Sequence, residues 1–372
     1  MRGISSAQQP IWLMFSLEEK VPADHPLRAV KRRCSGILRD MRADFKAAYS
    51  STGRPSVPPE QLLKALLLQA LYSIRSEIQL MQAIDFNLLY RWFLGLGDQP
   101  VWTPEVFSMN RQRFAEHDLV RKFFDRIVAE ALVEKLASED HFTVDGTLIR
   151  SWASLKSLQP RDGSERKVED DDPGNLTVNF HGEKRTNATH VSATDPEALL
   201  ARKGKGKEAH LCHSGHVLME NRHGLCLDIE VDVADGQAER RAARKMLRRA
   251  WRRHRLLPRT VGLDKGFDDG KFLAELEEET AAAPHVSVRA GPIVARDTAG
   301  QARRRARRRM RTKGYALSQR LRKRVEEVIG WIKTVGGLAR ARFVGRWKIA
   351  QAALITGAAY NLLRMVRLEA AG

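Results

Sequence analysis

The sequence predicts a mixed α/β core preceded by an all-α segment and followed by a helical tail. Apolar residues recur at helical spacing up to about residue 135, and at His141 the texture changes to short apolar runs that end in acids or turns. From there strand-like and helix-like stretches alternate. A chain of 372 residues suggests two or three domains, and the change of texture divides it into residues 1–135 and 136–372.

In the first part, Pro58 and Pro59 open PPEQLLKALLLQALYSI, where Leu62, Leu66, Leu67 and Leu71 keep helical spacing. The run Ile78 to Leu94 continues it with Leu80, Ile84, Leu88 and Phe93. A Gly/Pro-rich break, Gly95 to Pro104, precedes a further helix from about Glu105. With Arg111, Arg113, Arg121 and Lys122 exposed, these helices read as a DNA-binding bundle or, equally, as a dimerisation or packing domain. Trp12, Trp92 and Trp102 read as core. In the second part, FTVD is a strand ending at Asp145, and the polar stretch 156–209 is a long insertion or mobile loop. Two strands, Gly215 to Glu220 and Leu225 to Val233, flank the turn Asn221-Arg222-His223-Gly224. A basic helix (Gly236 to Arg255), a strand (Thr260 to Asp264), a helix (about Asp268 to Glu279) and a short strand (His285 to Arg289) follow. Helices at Ser318 to Val335 and Ile349 to Arg367 close the chain.

Composition narrows the function. Hydrophobic residues make up 43% of the chain, enough for a sizeable core. Lys plus Arg number 64 against 45 Asp plus Glu, a formal charge of +19, with a pI near 10.2. Such a surplus points to an anionic partner, and nucleic acid leads because neutralising phosphates releases counterions. A membrane surface would need a basic amphipathic helix or a lipidation signal, neither of which is evident. The apolar stretch Ile349 to Leu363 is too short to span a bilayer and carries Gln351 and Asn361. No signal peptide is expected at the N-terminus, and Cys34, Cys212 and Cys226 form no disulfide framework, which fits a reducing cytoplasm. QARRRARRRMR concentrates Arg303, Arg304, Arg305, Arg307, Arg308, Arg309 and Arg311, which repel one another unless phosphates approach, so DNA contact is expected there. The run Glu239 to Arg255 could lie along DNA or cover a sheet. His210, Cys212, His213, His216, His223 and Cys226 match no standard zinc spacing.

Phosphodiester cleavage by metal ions needs carboxylates that converge on a pair of ions from strand ends and a helix face. Asp145, after Phe-Thr-Val, and Asp264, after Val-Gly-Leu, stand where a buried strand gives way to a loop. Taken singly, an Asp in such a place is more often a turn or cap residue. At roughly 100° per residue, Arg322, Glu326 and Lys333 share one helix face within about 40°. Leu321, Val325, Val328, Ile329 and Ile332 form the apolar stripe beside it, so Glu326 borders the core and Glu327 points to solvent. An ordinary i,i+4 pairing of Arg322 and Glu326 is the alternative.

FTVDGTLI, VGLDKGFDD and SQRLRKRVEEVIGWIKTVGGL together resemble the three acidic blocks of DDE transposases of bacterial insertion sequences, in particular the insertion-sequence-five type. That group carries a Tyr-x2-Arg-x3-Glu-x6-Lys signature, whose last three positions are Arg322, Glu326 and Lys333, while Gln319 stands in place of the Tyr. GRPSVPPEQLLKALLLQ, TDPEALLARKGKGKEAHL and GAAYNLLRM extend the resemblance over nearly the whole chain. It implies an RNase H-like catalytic domain over 136–372 and Asp145, Asp264 and Glu326 as ligands of two Mg²⁺ or Mn²⁺ ions. Arg322 and Lys333 would meet phosphates or developing charge. The implied partners are double-stranded DNA, as transposon terminal inverted repeats and as target, and a second copy of the chain on that DNA. The implied location is the bacterial cytoplasm, at the nucleoid. A DNA-binding relic or regulator without activity is the alternative, although binding alone does not require those acids.

Overall fold

The computed structural model describes residues 16–53, 55–163, 179–180, 183–204 and 206–371. Trp12 lies outside them. Among the described residues eight helices come first: α1 (Leu17–Lys20), α2 (Pro26–Asp40), α3 (Arg42–Ala48), α4 (Pro59–Leu71), α5 (Glu77–Phe86), α6 (Leu88–Leu94), α7 (Pro104–Glu116) and α8 (Leu119–Val133). Leucine-rich α4 is buried almost all round, through Leu62, Leu63, Leu66, Leu67 and Leu68, as expected of a central helix. The apolar run 78–94 is two helices rather than one, because Asn87 ends α5 and caps α6 by accepting from Leu89 N (2.9 Å). Trp92 and Trp102 are buried as expected.

After α8 the chain forms β1 (His141–Arg150), β2 (Leu158–Pro160), β3 (Asn179–Phe180), β4 (Glu183–Lys184), β5 (His190–Ser192), β6 (Leu199–Ala201), β7 (His210–Glu220) and β8 (Leu225–Val233). Then come α9 (Ala238–His254), β9 (Thr260–Gly262), α10 (Gly270–Thr280), β10 (Ala283–His285), α11 (Thr298–Arg309), α12 (Lys313–Arg322), α13 (Val325–Thr334) and α14 (Arg346–Ala371). The main sheet runs β10-β9-β1-β7-β6, with β8 also on β7. β9 and β10 are parallel to β1, whereas β7 is antiparallel to β1, β6 and β8. β7 and β8 form the expected hairpin, and Gly224 (φ 75°) supplies the left-handed residue that its turn needs.

Strand alternation on β8 explains both layers that cover it. Leu227, Ile229 and Val231 belong to the apolar core, and a side chain on Gly357 of α14 would strike Ile229. Asp228, Glu230 and Asp232, all buried, face α9 instead. Arg249 donates to Asp228 and Glu230 (2.7 Å each), Lys245 to Glu230 (2.6 Å) and Arg241 to Asp232 (2.6 Å). Of the two readings of the basic helix, covering the sheet is the one seen. Its outer cations Arg244 and Arg248 pair with Glu279 of α10.

Several expectations are corrected. Arg121 is buried, because it donates to Asp228 (2.5 Å) and to Ile229 O (2.9 Å), fastening α8 to β8. Arg111 is sequestered as well, paired with Glu77 (2.5 Å) and stacked on Phe343. Arg113 lies over Tyr49 and donates to Asn110. The stretch 156–209 is not wholly loop. β6 extends the main sheet, β2 pairs with β5, and Ala153, Leu158, Ala198 and Leu211 form a small apolar cluster of their own. The C-terminal helix is longer than its apolar run, 26 residues. By length and composition it could cross a membrane, yet 67% of its most apolar window is buried inside the fold, against β8, α8 and α4. One apolar cluster runs from Val21 to Met365, so residues 1–135 and 136–372 share a core.

Candidate active site

Asp145 lies inside β1 rather than at its end. The ladder to β7 continues past the Asp145–Val217 pair as far as Arg150–Cys212, because Thr147 and Ile149 still find partners there. The carboxylate is half-buried and accepts from Gly146 N (2.9 Å). Burial first, and then the charges of Asp264 and Glu326, push its pKa above the ordinary aspartate range, against the pull of Gly146 N and Arg322. Asp264 follows β9, one position past Leu263, and caps the next turn by accepting from Gly266 N (2.8 Å). β9 pairs with β1 in parallel, which sets the two aspartates on adjacent strands.

The expected helix over 318–335 is broken. α12 stops at Arg322 and α13 starts at Val325. Across the join the amides reach back three residues, Arg324 to Leu321, Glu326 to Lys323 and Glu327 to Arg324 (3.0–3.1 Å), a 3₁₀ stretch in an otherwise α-helical path. Arg322 and Lys333 nevertheless seat on one face of β1. The Arg322 guanidinium is 3.8 Å from Asp145 Oδ2, and Lys333 Nζ donates to Thr147 Oγ1 (3.0 Å) two residues along the strand. The Arg322 Nε is buried without a hydrogen-bond partner. Glu326 and Glu327 are both exposed, so burial does not separate them. It is the Glu326 charge that Asp145 feels. Gln319, at the signature Tyr position, donates to His285 O (2.9 Å) and lies 3.5 Å from Leu263 O, tying together the ends of β9 and β10 beside Asp264.

Two residues near these acids are not singled out as acidic-centre residues by the sequence pattern. Glu239, in the first turn of α9, has its carboxyl held above the ordinary glutamate range by burial and by the charges of Asp264 and Asp145. The signal that could find it is that it is the single acid in ERRAARKMLRRAWRRHR. His216 of β7 is fully buried with neither ring nitrogen partnered, and burial lowers its pKa to about 4, so the ring is neutral. Gly146 makes room for it, since a side chain there would begin 2.8 Å from His216 Nδ1.

The arginine cluster forms α11, and most of it is occupied within the molecule. Arg303 forks onto buried Asp268 (2.9 and 2.8 Å), and Arg305 and Arg309 share Glu277 (2.5 Å each). Arg304 donates to Ile293 O and Arg307 to Gly291 O and Arg289 O. Arg308 is exposed and, among the described residues, has no such partner.

Carboxylate oxygens are the donors that Mg²⁺ and Mn²⁺ prefer, and the mutual charge of Asp145, Asp264 and Glu326 is what a cation would relieve, so the residues fit such ions. Among the described residues, however, no three His, Cys, Asp or Glu side chains are gathered closely enough to hold a metal. Residues 15–113 match the model of a transposase domain, DUF772, and residues 187–362 match that of the transposase DDE domain. Both models describe transposase domains. Asp264, Glu326, Arg322 and Lys333 fall within the DDE match, whereas Asp145 falls in the segment between the two. No curated protein and no solved structure matches the chain.

Proposed function

We propose that this protein is the transposase of a bacterial insertion sequence, of the insertion-sequence-five type, with an RNase H-like core. It would cut DNA at the element's terminal inverted repeats and join the freed ends to target DNA. The observation that carries the reading is the docking of Arg322 and Lys333 on the strand face that bears Asp145, with Glu326 between them in sequence. A mixed sheet with α9 on one face and α12–α14 on the other supports the RNase H-like assignment.

Asp145, Asp264 and Glu326 are the residues that would hold two Mg²⁺ or Mn²⁺ ions. Bound there, such ions would supply activation of the attacking oxygen and stabilisation of the leaving one. Arg322 partly neutralises Asp145 in the free protein, and its guanidinium would meet a phosphate of the transposon end. Lys333, fixed by Thr147, presents a point charge beside the same strand. Water attacks the phosphodiester at the element's end and leaves a 3′-hydroxyl, which then attacks a target phosphodiester. One P–O bond forms and one breaks in each step. No covalent protein–DNA intermediate is involved, so no nucleophilic side chain is needed.

DNA would run along the cations left unoccupied within the molecule. Among the described residues, Arg308, Arg311, Lys313, Arg320 and Lys323 make no ion pair, and the last two flank Arg322. A groove of about 820 Å³ lined by Arg75, Arg342, Lys348 and the exposed Trp152 and Trp347 offers further cations and aromatic faces. A homodimer would pair the two transposon ends, in the bacterial cytoplasm at the nucleoid. The test is strand cleavage by purified protein on its own element's end DNA, with Mg²⁺ and with EDTA. Metal-dependent nicking at the end, lost in Glu326→Ala, is expected. Tight binding without cleavage under Mg²⁺ and Mn²⁺ would replace this reading with that of a DNA-binding relic.

A further inference from the structure

We infer that Glu239 is a fourth carboxylate of the acidic centre and takes part in binding its divalent cations, although it lies in neither the acidic blocks nor the signature. The inference rests on the metal reading of Asp145 and Asp264 given above.

The geometry is set by two glycines. Gly146 directly follows Asp145, and Gly266 lies two residues after Asp264. A side chain begun at Gly146 would lie 3.5 Å from Glu239 Oε1, and one begun at Gly266 would lie 3.3 Å from Glu239 Oε2 and 3.0 Å from Asp264 Oδ1. One carboxylate thus spans the two acid-bearing segments, one oxygen towards each, through space that any residue larger than glycine would fill.

A second observation comes from the other side of the same space. His216 is fully buried with both ring nitrogens unpartnered, and its Nδ1 lies 2.8 Å from the point that Glu239 Oε1 also approaches. A buried polar ring without a partner is costly, and here it adjoins the gap beside Glu239.

Charge makes the same case. On α9, Arg240, Arg241, Arg244, Lys245, Arg248, Arg249 and Arg253 are each paired with an acid. Glu239, surrounded by these cations in sequence, makes no ion pair among the described residues and turns instead towards Gly146 and Gly266, beside the two aspartates. A first-turn acid favours its helix through the dipole, but that role gives no reason to face two other carboxylates.

The experiment is Mn²⁺ binding to the full chain without DNA, followed by calorimetry and by the Mn²⁺-induced rise in melting temperature. Wild type is compared with Glu239→Gln, Glu239→Asp, Asp264→Asn and Glu105→Gln, the last a first-turn acid of α7. Glu239→Gln is expected to weaken Mn²⁺ binding about tenfold or more, with metal-free melting altered no more than in Glu105→Gln. Glu239→Asp, which keeps the charge on a shorter arm, is expected to fall between. If Glu239→Gln binds Mn²⁺ like wild type while Asp264→Asn has lost it, the inference is wrong and the three-acid centre stands. If wild type binds no Mn²⁺, or Asp264→Asn binds it equally well, the metal centre itself is refuted and Glu239 with it.

Discussion

The contact between Arg121 and Asp228 tests whether the helical segment and the sheet form one cooperative unit. In Arg121→Met the apolar stem remains and the guanidinium is removed. That group is 9% exposed and its partner 4%, so water cannot readily replace it. Removing one member of a buried pair costs about 3–5 kcal/mol. Here Asp228 keeps Arg249 (2.7 Å) and the Ile229 amide (2.8 Å), and Ile229 O, losing its Arg121 donor (2.9 Å), keeps a longer one from Arg249 (3.4 Å), both of which hold the cost to the lower end of that range. A net loss of about 3 kcal/mol follows, or roughly 4 °C in melting temperature for one cooperative unit of 372 residues at about 2.1 cal/mol/K of unfolding entropy per residue. The control is Arg126→Met, whose pair with Asp44 (2.8 Å) is 40% and 19% exposed and is worth about 0–1 kcal/mol. Thermal and urea unfolding should show one transition moving to lower stability in Arg121→Met. A loss no greater than that of Arg126→Met would refute the argument, and two separate transitions would show that the segments do not share a core.

Three further outcomes are expected. Asp145→Asn, Asp264→Asn and Arg322→Ala should each lower end cleavage at least a hundredfold while DNA affinity in a gel-shift assay stays within a few-fold of wild type; parallel losses of both would place these residues in binding instead. Arg308→Gln with Arg311→Gln should weaken DNA binding and make the salt slope shallower by about one for each phosphate no longer neutralised, whereas Arg305→Gln, already engaged by Glu277, should act on stability; equal effects on DNA would undo that distinction. His141 is held neutral, its pKa lowered to about 4 by burial and by His285. Between that value and the unfolded one near 6.5 the unfolded chain binds the extra proton, so stability falls as pH falls, by about 2 kcal/mol at pH 5 relative to neutrality. His141→Gln should lose correspondingly less on acidification, and an undiminished acid loss would show that another group is responsible.

How much is legible in the sequence follows from how local each cause is. The hairpin over 215–233 is readable because Gly224 and flanking apolar alternation are neighbours in the chain. The helices α4 and α7 are readable because Pro59 and Pro104 mark their starts. The position of Asp264 is visible for the same reason, at a strand–turn transition. Arg121 and α11 are not, because the acids that absorb them, Asp228 and Glu277, lie 107 and 28–32 residues away. A run of arginines reads as solvated or DNA-bound until its partners are placed. The apolar run stops at Asp145, which suggests a strand end, yet β1 continues on ladder hydrogen bonds to β7. Glu239 is hidden among cations because side-chain direction on a helix matters more than local net charge.

The 3₁₀ join between α12 and α13 makes the azimuth of Glu326 adjustable. Residues advance by about 120° and 2.0 Å in a 3₁₀ turn but by about 100° and 1.5 Å in an α-helix. Rewinding any three residues of the stretch closed by the bonds 324 to 321, 326 to 323 and 327 to 324 would swing whatever follows by about 60° and draw it in by about 1.5 Å. Arg322 stands near the start of that stretch and Glu326 near its end. A change in winding therefore moves the glutamate relative to Asp145 without disturbing the arginine, and the gathering of the acids becomes a matter of torque in one short piece of backbone.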